Sequence, residues 1–106
     1  MKHRTKMSEW PPEILEEAAE AFKALGHPAR ILILEALGSG PAHVGELVDR
    51  LQLPQAVVSQ HLRKLYVQKF VSRKREGNRI LYSLARDEVL DIFGCLEKCL
   101  YRPFER

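Results

Sequence analysis

The polar side chains that follow Pro54 are of the types that read and grip a polyanion. Gln55, Ser59 and Gln60 offer amide and hydroxyl groups suited to base edges in a major groove, with Ala56 among them on the same segment. Arg63 and Lys64 follow as phosphate partners, which set affinity and register but carry no sequence information. Arg73, Lys74, Arg75 and Arg79 come next, a second basic group able to reach the backbone or an adjacent minor groove. From Arg63 to Arg79 the chain has seven basic residues and one acid, Glu76, a local charge of +6 in a total of +3, so the remainder sums to −3. A charge run also describes a plain solvated face. The order of elements around it has to decide.

Thiol chemistry is the second candidate. Cys95 and Cys99 stand four residues apart, on one face if the segment is helical. Together they can hold a soft ion such as arsenite or copper(I), or react with oxidants or persulfides. They can equally be small apolar residues filling a helix seam. The histidines offer less: His61 adjoins an apolar position and suits packing or a phosphate contact, and His27 precedes Pro28 at a helix start. His43 is a ligand only with partners the spacing does not identify, and His3 belongs to the basic N-terminal stretch. Enzyme chemistry lacks support: there is no Gly-rich phosphate loop and no HExxH, and Ser59 and His61 diverge on a helix.

The elements that must position these residues follow from periodicity and breakers. Ile14, Leu15, Ala18, Ala21, Phe22 and Leu25 recur at helical spacing after Pro12, and Gly26 closes that helix. Pro28 opens a second helix carrying Ile31, Leu34 and Leu37, which stops at Gly38-Ser39-Gly40-Pro41. A short third helix from about His43 turns Val44, Leu47, Val48 and Leu51 inward. Pro54 restarts the chain into a fourth, with Val58, Leu62 and Leu65 as its buried stripe. Alternation then takes over: Val71 to Arg75, a Gly77-Asn78 turn, and Ile80, Tyr82 and Leu84 on one side of a returning strand predict a hairpin with a basic tip. Val89, Ile92, Phe93, Leu96 and Leu100 mark a last helix ended by Pro103.

Length and composition fit that plan. The 106 residues supply one domain, with residues 1–8 expected as a mobile tail, and 45% apolar and 29% charged residues are an ordinary globular balance. Apolar runs such as Ile31-Leu32-Ile33-Leu34 are far short of a membrane span, and the basic N-terminus leads into no signal-type apolar stretch. A cytoplasmic protein with reduced cysteines and no membrane partner is expected. The fold class is mainly α (α+β), a winged helix-turn-helix of four helices, a two-stranded wing and a fifth helix.

Three blocks then carry a family resemblance. Phe22-Lys23-Ala24-Leu25-Gly26-His27-Pro28-Ala29-Arg30-Ile31-Leu32-Ile33-Leu34, Val58-Ser59-Gln60-His61-Leu62-Arg63-Lys64-Leu65 and Arg75-Glu76-Gly77-Asn78-Arg79-Ile80-Leu81-Tyr82-Ser83-Leu84 resemble, in order, the ArsR/SmtB family of bacterial repressors. The resemblance implies a homodimer through the first and fifth helices, a double-stranded DNA operator as partner, and repression relieved by a metal ion or thiol chemistry. It also marks departures. Pro54 stands where the family often has a capping Ser, and Ala56 and Val57 replace small hydroxyl residues. The Cys-x-Cys pair that many relatives use in the third helix is absent from Ala42-His43-Val44-Gly45-Glu46-Leu47. Arg86, Glu88, Cys99 and Arg102 match the zinc ligands of other relatives at the ends of the fifth helix, and two arginines cannot ligate a cation. The sensing element expected is therefore Cys95 with Cys99. The alternatives are a regulator with no small effector and a protein-interaction module on the same frame. RNA binding would suit the charge but calls for exposed stacking aromatics, and residues 55–84 hold only Tyr66, Phe70 and Tyr82.

Overall fold

Helix α2 (Pro28–Gly38) runs through the centre of the molecule, with Ala29, Ile33, Leu34, Ala36 and Leu37 buried. Around it, in a computed structural model that describes residues 6–101, stand α1 (Pro12–Leu25), β1 (Ala42–His43), α3 (Val44–Leu51), α4 (Gln55–Val67), β2 (Val71–Glu76), β3 (Arg79–Leu84) and α5 (Glu88–Tyr101). The order is the expected one with a short strand added. Ala42 and His43 pair antiparallel with Tyr82 and Leu81, so the hairpin becomes a sheet in the order β1-β3-β2. Two residues between a loop and a helix are too few for alternation to show in the sequence.

Helix starts follow their proline signals. Pro12 and Pro28 sit in the first turns of α1 and α2, and Pro54 is the N-cap of α4 without a side-chain cap hydrogen bond. Its carbonyl accepts instead from Val57 and Val58 N–H, both at 3.0 Å. At the C-terminal end of α2, Arg50 of α3 donates from Nη1 to the Ala36 carbonyl at 3.1 Å, an oxygen that also accepts the Ser39 N–H at 3.1 Å.

The core is one cluster in which Ile33, Leu34, Leu47, Val58, Leu62, Leu65 and Val89 are almost fully buried. The phase of α2 departs from expectation: Ile33 replaces Ile31 at the centre, while Leu32 remains exposed. Four consecutive apolar residues fit several helical phases, so periodicity alone cannot choose among them. Met7–Glu9, which overlap the expected N-terminal tail, form a 3-10 turn, closed by Glu9 N–H to Lys6 and Trp10 N–H to Met7 carbonyls at 3.0 Å. Residues 1–5, His3 among them, lie outside the described residues, as do Arg102 and Pro103.

Candidate nucleic-acid interface

The pair α3 and α4 is joined by Gln52, Leu53 and Pro54, with Gln52 in the left-handed region at φ 57°. This short link and the burial of Leu47, Val58, Leu62 and Leu65 fix the two helices across each other and turn the opposite face of α4 outward. Gln55, Ala56, Gln60, Arg63 and Lys64 are exposed there and Ser59 is half-buried. Helical spacing then sorts them. Ala56, Gln60 and Arg63 point away from the core stripe, and Gln55 and Ser59 lean to the flank that faces the wing. Lys64 takes the other flank, in a shallow depression with Lys23, Arg30 and Gln68.

The wing is β2 and β3, paired from Val71↔Leu84 to Glu76↔Arg79. Gly77, first of the two loop residues, has φ 65°, a conformation that favours glycine. Alternation places Arg73 and Arg75 on the face of Ile80 and Tyr82, and Lys74 and Arg79 on the face of Leu81. The wing cations thus divide between two faces. A groove between α4 and the wing gathers Gln55, Ser59, Arg63, Arg73, Asn78 and Arg79. Residues far apart in sequence therefore line one concave, cationic surface.

Two residues outside the expected set shape this surface. Arg73 stacks on Tyr66 at the end of α4, its guanidinium carbon 3.8 Å from the ring centroid. A hydrogen bond with Tyr82, and then the neighbouring Tyr66, push the guanidinium further above its ordinary range. Behind α4, Arg30 donates from Nε to His61 Nδ1 at 3.1 Å and from Nη1 to the Ala24 and Lys23 carbonyls at 3.0 and 3.4 Å. One arginine thus joins the end of α1 to the middle of α4. His61 is held below its usual value by burial, then by the positive groups His27, Arg30 and Lys64, so its neutral form accepts from Arg30. His27 caps α2 by accepting the Ala29 N–H at 3.0 Å and lies 4.4 Å from the His61 ring. Pairwise contacts of this kind between distant residues leave no periodic trace. The only advance signal was the presence of a histidine beside the buried stripe.

Helices α1 and α5 each leave large apolar side chains in solvent. Ile14, Leu15 and Phe22 of α1 and Ile92, Leu96 and Leu100 of α5 are exposed, Phe22 by 63%. Cys95 and Cys99 are free and exposed on the same helix, so within one chain neither is a buried packing residue. Arg86, at the matched zinc position, donates from Nε to the Lys69 carbonyl at 3.2 Å and serves the backbone. Among the described residues no three His, Cys, Asp or Glu side chains gather to hold a metal ion, and no helix is long and apolar enough to cross a membrane.

Comparison with known proteins agrees with this geometry. Residues 27–73 match the model of the bacterial regulatory protein, arsR family. Nodulation protein NolR of Rhizobium meliloti is 41% identical over 93 residues, covering 85% of this chain and 76% of that protein. The HTH-type transcriptional repressor SmtB of Mycobacterium tuberculosis is 45% identical over 75 residues, 71% of this chain and 56% of the relative. Among solved structures, NolR from Sinorhizobium fredii gives a TM-score of 0.76 at 35% identity, with 94% of this chain and 97% of that one covered. A homodimeric winged helix-turn-helix DNA-binding domain from Mycobacterium bovis gives 0.74 at 25% identity, with 92% and 87% covered.

Proposed function

Since the chain belongs to the arsR family of bacterial regulatory proteins and is a transcriptional regulator of that type, we propose that it is a repressor that binds a two-half-site DNA operator as a homodimer. The observation that carries this reading is the groove that brings Gln55, Ser59 and Arg63 of α4 together with Arg73 and Arg79 of the wing. Helix α4 enters the major groove, where Gln55, Ser59 and Gln60 meet base edges beside Ala56. Arg63, Lys64, Arg73, Lys74, Arg75 and Arg79 neutralise phosphates and fix the register. Binding titrations across salt with variants on the two elements test it.

Dimerisation is supported by the exposed apolar faces of α1 and α5, which a solitary chain would leave in water. The M. bovis neighbour is a homodimer by description, and its likeness extends over most of this chain. Sensing is assigned to Cys95 and Cys99. Their exposure on a helix expected at the dimer seam lets a covalent bridge or a soft ion change the spacing of the two α4 helices. A thiophilic ion fits this donor set, two thiols per chain, because thiolates are soft ligands. Operator half-sites have fixed spacing, so about 3 kcal/mol of coupling releases DNA about a hundredfold.

A further inference from the structure

His43 sits between the first helix of the DNA-reading pair and the wing, and its ring faces three charged groups from three elements. Glu46 Oε1 of α3 lies 3.1 Å from Nδ1 and also accepts the His43 backbone N–H at 2.7 Å. Glu76 Oε1 of β2 lies 3.0 Å from Nε2. Arg79 Nη2 of β3 lies 3.1 Å from Nδ1. The side chain itself is only 17% exposed.

Nδ1 cannot serve both of its neighbours at once. An arginine only donates and a carboxylate only accepts. With one proton, on Nε2, the ring donates to Glu76 and its Nδ1 lone pair accepts from Arg79. With a second proton on Nδ1, the ring donates to Glu46 and Glu76, and Arg79 loses its acceptor and faces a like charge. Arg79 shares the groove with Arg63 and Arg73, so its release adds a free cation where DNA phosphates are expected.

We propose that His43 is a positioning residue that retains Arg79 in its neutral form and frees it for DNA when the ring takes up a second proton. This inference rests on the DNA-binding reading above. It makes DNA binding and proton uptake at one histidine reciprocal: lowering the pH strengthens the wing contact, and DNA draws a proton onto His43.

The test uses the full chain and a labelled mixed-sequence duplex, titrated between about pH 8 and about pH 5.5. Wild-type affinity is expected to gain about threefold more over this range than His43→Gln does, and Arg79→Ala should lose the same increment. The double variant should lose no more than either single one. Ring nitrogen shifts of His43 in the free protein should report the Nε2–H tautomer at the alkaline end and a proton affinity that rises on adding the duplex. Identical pH profiles for wild type and His43→Gln, or an Nδ1–H tautomer in the neutral ring, would overturn the inference alone. Absence of duplex binding at every pH would overturn the DNA-binding reading beneath it.

Discussion

The guanidinium of Arg73 lies over the ring of Tyr66, linking the wing to the last turn of α4 across a centroid distance of 3.8 Å. A wing arginine expected from sequence to contact phosphate is therefore also tied to the end of α4. Tyr66→Ala should lower duplex affinity about twofold to fivefold, close to the effect of Arg73→Ala, and the double variant should be no worse than Arg73→Ala. Equal duplex affinity of Tyr66→Ala and wild type would contradict the role of the stack.

A pH dependence of stability follows from His61. Its folded-state value is lowered by burial first and then by His27, Arg30 and Lys64. The unfolded chain therefore binds the proton more readily, and stability rises with pH wherever the two states differ in protonation. The contribution is fully present above the ordinary histidine value of about 6.5 and is lost as pH falls from there through the lowered folded value. Denaturant unfolding of wild type and His61→Gln at about pH 8 and about pH 5 checks this. The variant should lose less stability on acidification, and an equal loss would remove His61 as the source.

Much of this architecture was legible in the sequence because periodic burial repeats a signal. Val58, Leu62 and Leu65 had only one helical phase, and all three are fully buried. Helix α2 was harder, since Ile31 to Leu34 fit several phases and packing against α4 and β3 chose Ile33 and Leu34. Gln55, Ser59 and Arg63 were legible as an outer face, but their convergence with Arg73 and Arg79 depends on tertiary placement of the wing. The contacts of Arg30 with His61 and of His43 with Glu76 join residues 31 and 33 apart in sequence. Each is a single polar pair with no repeat, so neither leaves a pattern in the chain.

The exposed faces of α1 and α5 predict a self-association equilibrium. Leu96→Glu, alone or with Phe22→Asp, places charge on surfaces that are 45% and 63% exposed in one chain and would be buried between two. Sedimentation at micromolar concentration should find wild type dimeric and the double variant shifted toward monomer by at least about tenfold in dissociation constant. The variants should keep their unfolding midpoints in the monomeric state, since neither residue belongs to the core. A wild-type monomer that binds a two-half-site duplex tightly would contradict dimerisation through these helices.

For the thiols, replacing Cys95 and Cys99 together by Ser should leave DNA affinity in the absence of effector within about twofold, because both lie outside the α4 and wing groove. The response to arsenite, copper(I), persulfide or peroxide, whichever releases wild-type DNA, should vanish. A double variant that still responds normally, or a wild type that answers to none of the four, would leave the cysteines without a sensing role.

The most direct test of the proposed DNA-reading surface compares two kinds of variant in one set of titrations. Affinities for a selected operator and a mixed-sequence duplex are measured across salt for wild type, Arg73→Ala with Arg75→Ala, and Gln60→Ala. The wing variant should bind both duplexes more weakly and show a salt slope shallower by about two, while Gln60→Ala keeps its slope and loses discrimination by about 1–3 kcal/mol. Unchanged affinity and slope in the wing variant, together with unchanged discrimination in Gln60→Ala, would contradict the assignment of this groove to operator DNA.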